Sequence, residues 1–231
     1  MARLRAGVLI VALLAGAAVG PGVGAGTALA EAPYARLFAA DGLAGLGPGA
    51  ALDYALDEPA PPDGGARPAE AVLRLRLSAG DGPGGETADL ALLRGGTESR
   101  IGGFPASVGN PLIMYFLESV LRDMAARAGG SPFYIRNRIK EALLRDATVT
   151  PVTLRHGGQT IAAEEVRLHP FANDAARARM GGFDTMELAF VVAPGLPGRF
   201  YSLSALATPA TAGSPAEGYH RRLTLLPEAG R

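Results

Sequence analysis

The sequence predicts an α+β domain: a strongly curved antiparallel β-sheet of about eight or nine strands with one helical hairpin inserted and packed on it. Three observations lead to that class. Short segments with two-residue hydrophobic alternation recur through most of the chain, joined by glycine-rich turns. Only one long stretch, Asn110 to Asp146, has helical periodicity, and strand-like segments lie on both sides of it. Finally, so many strands with so few helices hide their apolar face only if the sheet curls, half-barrel-like, or folds into a two-layer sandwich.

The N-terminus is set apart from this domain. Arg3 and Arg5 make a positive start, Ala6 to Val19 is uncharged and largely apolar, and Ala28-Leu29-Ala30 is an A-x-A cleavage site. Residues 1–30 therefore read as a signal peptide cleaved after Ala30, with no twin-arginine pair and hence ordinary Sec export. Pro21 and the glycines from Gly16 to Gly26 make the stretch a poor membrane helix. The expected location is periplasmic or secreted, and residues 31–231 form a single exported domain: strands over 51–104, the helical hairpin over 110–146, strands over 148–226. No transmembrane span is expected in that part.

Composition narrows the function classes. Basic and acidic residues balance at 22 each in the full chain. That balance argues against nucleic-acid binding, which needs a large basic surface to release counterions. There is no cysteine, so neither a disulfide, a thiol nucleophile nor a lipoprotein acylation site is available, and stability rests on burial. Lys140 is the only lysine; the abundance of Arg, Ala and Gly fits a GC-rich bacterial genome, so arginine richness by itself carries no functional message.

In chain order, 31–49 has a small apolar patch (Tyr34, Leu37, Phe38) among glycines and is left irregular. Leu52, Tyr54 and Leu56 alternate with Asp53 and Ala55, a half-buried strand. Asp57 to Pro68 is proline- and glycine-rich with little to bury, so it is an exposed loop. From Ala71 to Ser78, Leu73, Leu75 and Leu77 take one face and Arg74 and Arg76 the other. Thr87 to Arg94 and Thr97 to Phe104 follow across short glycine turns, which implies antiparallel hairpins.

The helical hairpin opens with Asn110 as N-cap and Pro111 at the first helical position. Leu112, Ile113, Phe116, Leu117, Val120, Leu121 and Met124 form one wide apolar face, with Glu118 and Arg122 outside it. Gly129-Gly130 ends this helix, and Ser131-Pro132 repeats the cap signal for a second. There Ile135, Ile139, Ala142 and Leu143 make a narrower stripe, with Phe133 and Leu144 on a second apolar edge. Strands return at Thr148–Arg155 and Thr160–Leu168 around His156-Gly157-Gly158-Gln159, a hairpin signal. Asp174 caps a short turn, and Asp184–Ala193, Arg199–Ala207 and Tyr219–Leu226 complete the sheet.

No catalytic, metal or cofactor site is nominated by any motif. A nucleophile elbow, a P-loop and a dinucleotide fingerprint are all absent, and Ser131 reads as a cap. His156, His169 and His220 have no second ligand at metal spacing. Glu164 and Glu165 are adjacent in a strand, so they point to opposite faces. The best functional candidate is electrostatic. On the second helix Arg136 and Lys140 share a face with Phe133 and Leu144, an arrangement that suits an anionic amphiphile, headgroup on the cations and chain along the apolar edge. Asp123 and Arg127 fall within or near the apolar arc of the first helix, and read as a pair at a fraying helix end.

The expected function is therefore a non-enzymatic periplasmic protein that binds an apolar or amphiphilic ligand, or an envelope protein partner, between sheet and helix pair. Phe133, Arg136, Lys140 and Leu144 are the candidate ligand-binding residues. An apolar pocket is expected beneath Leu112, Phe116 and Val120. The alternatives are an envelope hydrolase whose site is assembled only in three dimensions, and a structural or assembly module of the envelope. The oligomeric state has no signature in the sequence.

Overall fold

A computed structural model describes residues 32–227, apart from 62, 64, 67 and 81–84; the expected signal peptide and its cleavage site lie outside the described residues. Nine strands pair into one antiparallel sheet: β1 (Ala51–Asp57), β2 (Ala71–Ala79), β3 (Glu86–Arg94), β4 (Thr97–Pro105), β5 (Thr148–His156), β6 (Gln159–Leu168), β7 (Glu187–Val192), β8 (Phe200–Leu206) and β9 (His220–Leu225). Three α-helices accompany them, α1 (Pro33–Leu37), α2 (Leu112–Ala128) and α3 (Pro132–Arg145). Among the described residues no helix is long and apolar enough to cross a membrane.

The strand order is β4-β3-β2-β1-β9-β8-β7-β6-β5. The chain steps outward from β1 to one edge at β4, passes through α2 and α3, and resumes at the opposite edge, β5. It then steps back inward until β9 closes against β1. This explains why the only long helical stretch sits mid-sequence: it carries the chain from one edge of a curved, open sheet to the other. All nine strands belong to one sheet, so the half-barrel-like form is the one adopted and the two-layer sandwich is not.

Side-chain parity fixes which face is buried. In β2, Leu73, Leu75 and Leu77 are at most 1% exposed. They stand opposite Leu92, Leu90 and Ala88 of β3, and Leu73 and Leu75 also meet Tyr54 and Leu52 of β1. The inner faces of β6 to β9 add Val166, Leu188, Phe190, Leu203 and Leu223, all fully buried. Into this concave surface α2 presses Leu112, Phe116 and Val120, each with no exposed area. The Phe116 ring meets the Phe190 ring edge to face, with centroids 6.0 Å apart. Burying each such side chain stabilises the fold by about 1.5–3 kcal/mol, so α2 is a core element of the domain.

Asn110 pins the start of α2. Its Oδ1 accepts the Leu112 N–H at 3.0 Å, and its Nδ2 donates to the Gly198 carbonyl at 2.9 Å. Gly198 has φ +71°, and a Cβ there would fall 2.5 Å from a Leu52 methyl, so only glycine fits under the cap. Removing the side chain in Asn110→Ala costs a cap, about 0.5–2 kcal/mol, and one of the two donors to the Gly198 carbonyl, which keeps the Phe200 N–H at 2.9 Å. The expected loss is about 1–2 kcal/mol in urea unfolding. At α3, Ser131 occupies the cap position with extended backbone, but its hydroxyl makes no capping bond.

One element departs from expectation. Residues 33–37 form α1, too short to show a helical period. It is held by the Tyr34–Phe38 ring stack at 4.5 Å and by Arg36, whose Nε and Nη2 donate to Glu164 at 2.6 and 3.1 Å. Glu165, one residue on, pairs instead with Arg167 on the opposite face, as strand parity requires.

Candidate functional site

The four residues singled out on α3 share one stripe at spacings of three and four. The inward side of α3 is occupied by Ile135, Ile139, Ala142 and Leu143, so the stripe lies on its outer flank beside α2. Phe133 and Leu144 are 68% and 58% exposed. Arg136 donates three bonds of 2.9–3.0 Å to the Glu118 carboxylate of α2. This surface pair contributes little to stability, about 0–1 kcal/mol, but it fixes the guanidinium in place. Lys140 is exposed and makes no ion pair or hydrogen bond among the described residues.

Helical spacing extends the stripe onto α2. Met114 is one turn before Glu118, and Lys140 is one turn after Arg136. Met114, 49% exposed, therefore shares the α2 face of Glu118, the residue that holds Arg136. The result is a strip of exposed apolar side chains, Phe133 and Leu144 on α3 with Met114 on the facing helix, beside one unpaired cation and one paired cation. It lies on top of the helix pair. Leu112, Phe116 and Val120, beneath which an apolar pocket was expected, have no exposed area and belong to the core, and neither of the two hollows described below is lined by them.

The first of those hollows is at Asp123 and Arg127. These residues are not a fraying pair. Strand parity turns Arg221 of β9 to the inner face, where its side chain is 7% exposed, and Asp123 receives it through Nε and Nη2 at 2.9 and 3.4 Å. The Tyr219 hydroxyl donates to the same carboxylate at 3.1 Å. Burial raises the Tyr219 hydroxyl far above the usual tyrosine range, and the Asp123 charge adds to this. Arg221 Nη1 lies 3.3 Å from Glu58, which also holds Arg94. Arg127 lies over the Tyr219 ring at 5.4 Å and donates to the Ala60 carbonyl. Glu58, Ala60, Asp123, Arg127 and Arg221 border a cleft of about 200 Å³ together with Pro59, Pro61 and Pro68. Arg221 pairs with Asp123 and Glu58, and Arg127, which has no carboxylate partner among the described residues, is held by the Ala60 and Pro215 carbonyls and the Tyr219 ring, so the cluster clamps α2 and the 58–61 segment to the sheet.

Asp174 forms a second clamp. Its side chain has no exposed area. It accepts the Tyr134 hydroxyl at 2.6 Å and the Ala176 N–H at 2.7 Å, and Oδ2 lies 2.7 Å from Arg138 Nε in a close ion pair that is not aligned as a hydrogen bond. The cap role read from the sequence is thus present, and the same carboxylate ties α3 to the loop after β6. Burial pushes its pKa up; the Tyr134 hydroxyl, the Ala176 amide and the Arg138 guanidinium outweigh that, and the net shift is below the usual aspartate value.

The histidines do not converge on one site. His156 contacts the Tyr201 ring, His169 lies 3.7 Å from Glu187, and His220 Nε2 lies 2.7 Å from Asp57 at the start of β9. None of them lines either hollow. Among the described residues, no three His, Asp or Glu side chains gather as a metal site. No protein-family model matches the chain, and no curated protein sequence matches it.

Proposed function

We propose that the protein is a non-catalytic component of the bacterial envelope that holds an anionic amphiphile, such as a phospholipid, on the outer strip of α2 and α3. The observation that carries this reading is Lys140: the only lysine of the chain stands without a carboxylate between Phe133 and Leu144, both more than half exposed. Isolated exposed apolar residues are ordinary on protein surfaces. An apolar strip of Met114, Phe133 and Leu144 ordered around a free ammonium and a guanidinium held by Glu118 is the pairing that an interfacial helix uses, with cations at headgroup level and apolar side chains at the acyl boundary. The proposed seat lies on the helix pair because the candidate residues face outward there, Phe133 and Leu144 being more than half exposed. An export route through the expected signal peptide places the protein where such lipids are found.

The test is binding to phosphatidylglycerol vesicles against phosphatidylcholine vesicles by co-sedimentation. A cation near an anionic membrane contributes about 1 kcal/mol. Replacing Arg136 and Lys140 by serine is therefore expected to weaken phosphatidylglycerol binding about tenfold to thirtyfold, leaving the unfolding midpoint unchanged. Phe133→Ser with Leu144→Ser is expected to weaken binding to both vesicle types. Equal binding by the wild-type protein and both double variants would remove the strip from the site.

A further inference from the structure

The outer face of the sheet, away from the helices, carries a second constellation that the α3 strip does not use. On β1 to β4 the cross-strand registers set Asp53, Arg74, Ala91 and Arg100 in one row, and Arg76, Asp89 and Gly103 in the next. Long side chains thus ring a floor made of small ones. The hollow between them measures about 310 Å³ and is lined by Arg74, Arg76, Asp89, Ala91, Glu98 and Arg100. Gly103 leaves room for the ion pair at its rim: a Cβ there would fall 2.8 Å from both Arg100 Nη2 and Asp89 Oδ1, so any side chain would displace the arm that Arg100 lays across the sheet.

The donors and acceptors around the hollow are unevenly satisfied. Arg74 gives Nε and Nη2 to Asp53 at 2.7 and 2.6 Å. Arg100 gives Nη2 to Asp89 at 2.9 Å, and Ser78 donates to the other oxygen of that carboxylate at 2.9 Å. The Arg100 bond, more than any other contact, keeps Asp89 below the usual aspartate pKa and hence an acceptor. Arg76 differs from both neighbours. It makes no hydrogen bond among the described residues, and its nearest carboxylate oxygen, on Glu98, is 3.9 Å away. Its side chain and that of Glu98 are each nearly half exposed. A guanidinium with five N–H donors therefore faces an open hollow beside Arg100, with two carboxylates at the rim.

We infer that this hollow is a binding site for an acidic saccharide. The carboxylate or phosphate of the sugar takes the free donors of Arg76 and Arg100, replacing the loose Glu98 contact, and its hydroxyls donate to Asp89. Charge-assisted, fork-shaped recognition of an oxyanion is what paired guanidiniums supply. The volume exceeds what an inorganic anion needs and suits a monosaccharide unit, since one water occupies about 30 Å³.

The experiment is an NMR titration of the full chain with glucuronate, glucose 6-phosphate, glucose and inorganic phosphate, following the arginine Nε–Hε signals. Both acidic sugars are expected to shift Arg76 and Arg100, glucose to shift neither, and inorganic phosphate to bind at least about tenfold more weakly than glucose 6-phosphate. Arg76→Ala is expected to weaken the acidic sugars about tenfold or more. Glu98→Gln is expected to tighten them, because it removes the competing carboxylate, an effect that a purely structural ion pair would not produce. Absence of shifts with both acidic sugars, affinity unchanged in Arg76→Ala, or inorganic phosphate binding as tightly as glucose 6-phosphate would each overturn the assignment.

Discussion

Asp123→Ala is expected to lower the unfolding free energy by about 3 kcal/mol. Removing one partner of a buried ion pair typically costs about 3–5 kcal/mol, because the other charge stays buried without compensation. Arg221, with its side chain 7% exposed, is left with Glu58 at 3.3 Å, which retains part of the pairing and places the effect at the lower end. The Tyr219 hydroxyl loses its acceptor as well. For a domain of this size the loss corresponds to a Tm lower by about 6–12 °C, read by thermal unfolding at neutral pH. The control is Asp123→Leu combined with Arg221→Met. Replacing both charges by apolar groups of similar size is often neutral or stabilising, so the double variant is expected to recover most of the loss. If it is as unstable as Asp123→Ala, packing at this end of α2, and not the uncompensated charge, sets the cost.

Asp174→Asn is the second large effect and carries a pH signature. The native carboxylate is fully buried and its pKa lies below the unfolded value of about 3.9. A depressed pKa means that the folded state releases the proton more readily than the unfolded chain. The resulting stability is complete above the unfolded pKa and is lost as pH falls through the folded one. In the variant the Arg138 guanidinium loses one of its two carboxylates and keeps Glu141 at 2.5 Å, while an Asn amide placed toward it offers donors where acceptors are needed. The expected outcome is a loss of about 2 kcal/mol at neutral pH, shrinking as the wild-type protein is taken below about pH 4. Glu164 and Asp89 also have lowered pKa values, through Arg36 and Arg100 respectively. Acid destabilisation therefore persists in the variant, with a shallower slope. Parallel pH–stability curves for the two proteins would show that Asp174 carries no such linkage.

The legible part of this fold is its local part. β2, β3 and β4, and β5 with β6, follow from two-residue alternation and glycine turns, since neighbouring strands joined by short turns pair by default. The caps and apolar face of α2 were readable for the same reason: Asn110, Pro111 and the Leu112–Phe116–Val120 spacing act within a few residues. The β1–β9 seam has no local signal, as it joins Leu56 to Leu223. It is this seam that puts Arg221 opposite the helices. The ingredients of the Asp123–Arg221 clamp stood in the sequence, an acid inside an apolar helical arc and an arginine sharing parity with Leu223 and Leu225. Only the strand order shows that they face one another.

The candidate site divides in the same way. The stripe of Phe133, Arg136, Lys140 and Leu144 is a periodicity, and periodicity survives into three dimensions. Its surroundings did not follow from the sequence, because the side of α3 turned to the core depends on how α2 and α1 flank it. The strip is on the outside, Glu118 holds Arg136, and Met114 joins from the neighbouring helix. The hollow at Arg76 and Arg100 needed the registers of β2, β3 and β4, and Gly103 beside it is silent in sequence because its role is to leave room for the Arg100–Asp89 pair.

The most direct measurement for the α3 strip is identification by mass spectrometry of what the protein retains when it is isolated from the envelope of its own host without added detergent. The proposed function predicts a co-purifying anionic lipid, present in the wild-type protein and depleted when Arg136 and Lys140 are both serine. A wild-type protein that carries no lipid, and takes none up when phosphatidylglycerol is offered, would contradict it.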